Sequence, residues 1–69
     1  KGSKLKELYL NTKTENKRAF IVQSLLEKGF SNRQIITILE ISNSNVYRLK
    51  SVTATKDYNF RSLVIKIIK

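Results

Sequence analysis

Seven residues, Lys28 to Gln34 (KGFSNRQ), restrict the fold more tightly than any other stretch of this chain. They read as the stop of one helix and the start of the next. Glycine takes the left-handed conformation that follows a last helical turn at no steric cost, so Gly29 ends a helix and Phe30 can pack back onto it. Ser31 is a good first cap. Gln34, three residues on, completes a capping box, and Phe30 is placed as a hydrophobic staple. Proline is absent and only two glycines occur, so helices joined by short turns are expected on both sides.

On the N-terminal side, residues 15–28 form the expected helix, with Thr12 or Thr14 as its cap and Glu15 near its positive end. Ala19, Val22 and Leu26 line one stripe, Ile21 and Leu25 stand beside it, and Phe20 is expected at its margin. Upstream, KLKELYL places Leu5, Leu8 and Tyr9 on one side of a short amphipathic helix. On the C-terminal side, NRQIITILE carries Ile35, Ile38 and Leu39 on one face with Ile36 beside them. Ile41 then breaks the spacing. Ser42 opens a helix 43–50 that turns Val46 and Leu49 inward, and Asn45 makes a weaker capping partner than Glu or Gln. SVTATKD reads as a polar turn region. For NFRSLVIKIIK, the helical reading aligns Phe60, Leu63, Val64, Ile67 and Ile68. The strand reading alternates Leu63, Ile65 and Ile67 against Val64, Lys66 and Ile68, with the β-branched content in its favour. Helix is the expectation. The fold class that follows is all-α: a small bundle of three to five helices.

The 69 residues suffice for one domain with one core. Residues 1–3 read as an appended or disordered start, and 4–69 as the domain, with 59–69 available for dimerisation. The chain contains no methionine, so a processed product or an excerpt of a longer protein is expected. It contains no cysteine and no histidine, which excludes disulfides, thiolate chemistry and the common zinc sites. The acids Glu7, Glu15, Glu27, Glu40 and Asp57 are scattered, and no Gly-rich phosphate loop is present. No catalytic residue, metal, cofactor or small-molecule ligand is therefore expected. No apolar run approaches a membrane span and no secretory signal is visible, so a cytoplasmic protein is expected.

The net charge of +9, from 14 basic and 5 acidic residues, calls for an anionic partner. The helix 43–50 indicates which. A solvated helix face is usually rich in Lys and Glu, whereas this one presents Asn43, Ser44, Tyr47 and Arg48. An α-helix fits the major groove of DNA, provided that its leading residues are small and polar enough for close approach. Ser42, Asn43, Ser44 and Asn45 meet that need, and with Tyr47 and Arg48 they are the expected base-reading residues. Asparagine pairs bidentately with adenine, and arginine with guanine. Ser31, Arg33 and Gln34, at the start of the preceding helix, and Lys50, Lys17 and Lys56 are the expected phosphate contacts. A blander reading makes Ser42 only a cap, half-buries Tyr47 against helix 15–28, and pairs Arg48 with Glu40 or Glu27.

Residues 31–51, SNRQIITILEISNSNVYRLKS, resemble a helix-turn-helix DNA-binding unit. The likeness is greatest to that of resolvase- and invertase-type recombinases, transposases, and plasmid or phage regulators. SNSNVYRLK is similar to the Ser-x-Ser-Thr-Val-Tyr-Arg pattern of that second helix, and GFSNRQI to the approach to the first. Ile35, Leu39, Ile41, Val46 and Leu49 match the inward positions. Two positions depart: Ile36 stands where a small residue is usual, and Glu40 where the turn often carries glycine. The resemblance implies double-stranded DNA as partner, read by a homodimer or by part of a larger chain, in regulation, replication, segregation or recombination. The Lys-, Ile- and Asn-rich composition suits an AT-rich genome. The alternative is a protein-interaction or anionic membrane-surface module built on the basic apolar tail. RNA binding is disfavoured, because Tyr47 alone supplies an aromatic on the proposed contact face.

Overall fold

The computed structural model describes residues 3–68 and is all-helical over them. Five helices follow in order: α1 (Ser3–Asn11), α2 (Glu15–Glu27), α3 (Asn32–Leu39), α4 (Asn43–Ser51) and α5 (Tyr58–Ile68). Of the three residues expected as an appended start, Ser3 opens α1, and Lys1 and Gly2 lie outside the described residues.

The junction after α2 has the conformation its sequence calls for. Gly29 sits at φ 99°. Its N–H donates to Leu26 O at 3.0 Å, and the Phe30 N–H donates to Leu25 O at 3.1 Å, the two bonds of a Schellman motif. The capping box is closed in both directions. Gln34 N donates to Ser31 Oγ at 3.2 Å, and Ser31 N donates to Gln34 Oε1 at 2.9 Å. Thr14 holds the N-cap position of α2 with no side-chain cap bond. Thr12 has another role: it is buried, and its hydroxyl donates to Leu8 O at 2.7 Å, closing the last turn of α1.

α2 is the central element. It packs against α3, α4 and α5, while α1 closes the other side against α3 and α5. Leu5 and Tyr9 of α1, Ala19, Ile21, Val22 and Leu25 of α2, Ile35 and Leu39 of α3, Val46 and Leu49 of α4, and Phe60 and Val64 of α5 form one core. Burial of such side chains is the main favourable term in folding, at roughly 1.5–3 kcal/mol for each large aliphatic side chain fully removed from water. Two expected positions are exchanged. Phe20 is buried rather than marginal, because its ring meets Phe60 of α5 edge-on at 6.4 Å. Leu26 is only partly buried. Ile36, Ile38 and Ile41 are likewise partly buried around the core.

The last segment is a helix. Asp57 caps it, its Oδ1 accepting from the N–H groups of Asn59 at 3.0 Å and Phe60 at 3.4 Å. The stripe 60–68, read from the sequence as core or subunit surface, divides between the core and solvent. Phe60 and Val64 face the chain's own core, and the exposed Leu63 and Ile65 fall about 200° apart around the helix. No helix among the described residues is long and apolar enough to cross a membrane.

Candidate nucleic-acid interface

α3 and α4 are joined by the turn 40–42, and the turn sets the direction of α4. Glu40 takes the left-handed conformation there, at φ 55° and ψ 48°, standing in the backbone state that glycine adopts most readily. Its carboxylate accepts from Lys6 Nζ of α1 at 2.8 Å, which ties the turn to the first helix. Ser42 then caps α4, its Oγ accepting from Asn45 N at 3.3 Å.

α4 packs on α2 and α3 through Val46 and Leu49, both fully buried. The opposite side is open. Asn43, Tyr47 and Lys50 follow one another at helical spacing in one row, and Ser44, Arg48 and Ser51 in the next. All six are exposed. Tyr47 is 54 % exposed. Lys50 Nζ lies 5.1 Å from the centre of its ring. Asn43 makes no side-chain hydrogen bond among the described residues, leaving both ends of its amide free. Asn45 is partly buried, and its Oδ1 accepts from Arg48 Nη2 at 3.3 Å. Arg48 is also held by Glu15 of α2, with Nη1 at 3.2 Å from Oε2. Neither Glu40 nor Glu27, the partners considered from the sequence, takes that position.

The other expected contacts fall into two separate groups. Ser31, Arg33 and Gln34 occupy the first turn of α3, all exposed. The capping box engages only acceptor atoms of the Ser31 and Gln34 side chains. The hydroxyl proton and both amide protons therefore remain as donors beside the positive end of the helix. Lys17 and Lys56 are not gathered with α4. Lys17 turns to the start of α5, 3.8 Å from Asp57 Oδ2 and 5.5 Å from the centre of the Phe60 ring. Lys56 is exposed in the loop before Asp57.

Three residues of α2 hold α4 in place, and none was expected from the sequence. Gln23 Nε2 donates to Leu49 O at 3.2 Å and Val52 O at 2.7 Å, closing the C-terminal end of α4. Asn16 fixes the loop that follows, donating from Nδ2 to Thr53 O at 2.7 Å while its carbonyl accepts from Thr55 N at 3.1 Å. Glu15 binds Arg48. A signal was present for two of them. Asn16 and Gln23 continue the stripe of Ala19 and Leu26 at i, i+3, i+7 and i+10, so polar groups stand on a side that otherwise packs.

Among the described residues no cluster of Asp and Glu is placed to hold a metal ion. An open groove lies between the later half of α2 and α5, lined in part by Phe20, Gln23, Glu27, Arg61 and Ile65. Compared with family models, curated proteins and solved structures, the chain matches none.

Proposed function

We propose that this chain is a non-enzymatic, sequence-specific double-stranded DNA-binding domain whose α3 and α4 act as a helix-turn-helix, with α4 read into the major groove. The carrying observation is the division of α4. Val46 and Leu49 are completely buried, while Asn43, Ser44, Tyr47, Arg48 and Lys50 are exposed on the other sides of the helix. Small polar residues lead and cations follow, as close backbone approach to base edges requires. Ser31, Arg33 and Gln34 supply phosphate contacts at the start of α3, and the net charge of +9 supplies the attraction.

The setting that suits this chemistry is a plasmid, phage or mobile-element protein of the cytoplasm. It acts as a regulator, a replication or segregation factor, or the targeting part of a recombinase. Two copies on two half-sites would multiply specificity. The rival membrane-surface reading needs the apolar side of α5, yet Phe60 and Val64 are already in the core.

Selection of bound sites from a random duplex pool tests the proposal. A preferred sequence should emerge, and Arg48→Ala and Asn43→Ala should each weaken binding to it by about 1–3 kcal/mol and relax base preference. A pool that stays random after repeated rounds refutes sequence reading.

A further inference from the structure

Arg48 has the only guanidinium on α4, and its own chain engages it twice, by a hydrogen bond to Asn45 and by an ion pair with Glu15. Glu15 Oε2 lies 3.2 Å from Nη1, and Asn45 Oδ1 lies 3.3 Å from Nη2. The ion pair joins two half-exposed groups, 55 % for Arg48 and 52 % for Glu15, and such pairs add little to folding stability. Its consequence lies elsewhere. A guanidinium carries five donors in a rigid fork, so one hydrogen bond to Asn45 and an ion pair with Glu15 restrain it and leave most of its donors for another acceptor. Glu15 itself sits at the leading end of α2, where its charge is favoured by the helix dipole and faces the same side as Arg48.

Building on the DNA-reading role of α4, we infer that Glu15 is a specificity-determining residue that acts through Arg48. It has two effects. It orients the guanidinium for a base edge, which is a positioning effect. It also neutralises the arginine towards phosphates, because an arginine already paired with a carboxylate gains less from a random backbone, and the carboxylate repels phosphates directly. Random DNA is thereby penalised more than the cognate site, where the remaining donors of the fork find an oriented acceptor.

The test compares affinity for the selected duplex and for random duplex, across a salt series, in five variants of the full chain. Glu15→Gln should raise affinity for random duplex by roughly three- to tenfold near 0.1 M salt and steepen its salt dependence by about one unit. Affinity for the selected site should stay within about twofold, so the specificity ratio falls. Glu15→Asp keeps the charge but withdraws the carboxylate, and should lower the ratio without strengthening random binding. In an Arg48→Ala background Glu15→Gln should leave the ratio unchanged. Glu27→Gln, which removes a carboxylate from the α2–α5 groove instead, should leave it unchanged in the wild-type background. An unaltered ratio in Glu15→Gln, or an equal fall with and without Arg48, overturns the inference while α4 remains the reading helix. A wild-type chain that selects no sequence overturns both.

Discussion

Glu40 shows how a single residue can hold a turn that its own chemistry disfavours. An L-residue with a side chain in the left-handed region carries a steric cost of about 1–2 kcal/mol, and Glu40 sits there at φ 55°. The Lys6 contact offsets part of that cost. Glu40→Asn should be close to neutral, because asparagine tolerates this region. Glu40→Val should lower stability by about 1–2 kcal/mol, because a branched Cβ does not tolerate it. Urea unfolding of the two variants decides this, and equal midpoints would show that the turn relaxes freely. Gly29 faces the same constraint without an ion pair. A Cβ added there meets no neighbour within 4 Å, so any loss in Gly29→Ala comes from its φ of 99° alone. That loss should be about 1–2 kcal/mol. The need for Gly29 was legible in the sequence because the stop of α2 and the start of α3 are local events, written in adjacent residues. The partner of Arg48 was not legible. Glu15 reaches it only after α2 and α4 have packed, and nothing in residue spacing distinguishes Glu15 from Glu27 or Glu40 beforehand.

At the scale of elements, each helix is held by what its sequence supplies at its ends and by what other helices supply along its length. α3 is self-capped, so Ser31→Ala should cost about 1 kcal/mol of stability, measured by thermal or denaturant unfolding. α4 depends on α2. Gln23→Leu removes both donors to the carbonyls of Leu49 and Val52 from a partly buried position, and should cost about 1–3 kcal/mol. Faster hydrogen exchange of the amides in residues 49–55 should accompany it, and unchanged exchange there would show that the clamp is dispensable. α5 illustrates the limits of local reading. Its β-branched run and its helical stripe pointed to different structures. The Asp57 cap and the edge-on meeting of Phe60 with Phe20 belong to the helix. One is a short-range contact that the polar-turn reading passed over. The other joins residues far apart in sequence, and so does the burial of Phe20 that goes with it.

For the whole molecule, the pattern of charge matters as much as its sum. Three of the five acids are engaged in ion pairs with Lys6, Lys17 and Arg48, whereas Arg33, Lys50 and Lys56 have no carboxylate partner among the described residues. Lys50→Ala should therefore weaken binding to selected and random duplex about equally and reduce the salt slope by about one unit. The same change at Lys17, tied to Asp57 beside α5, should alter the slope less. The measurement that bears most directly on the central claim is a titration of the labelled protein with duplex DNA, followed by backbone amide NMR shifts. The largest changes should fall on residues 42–50 of α4 and on residues 31–34 of α3, with α5 little affected. Changes concentrated on α1 and α5, with the amides of α4 unmoved, would contradict it.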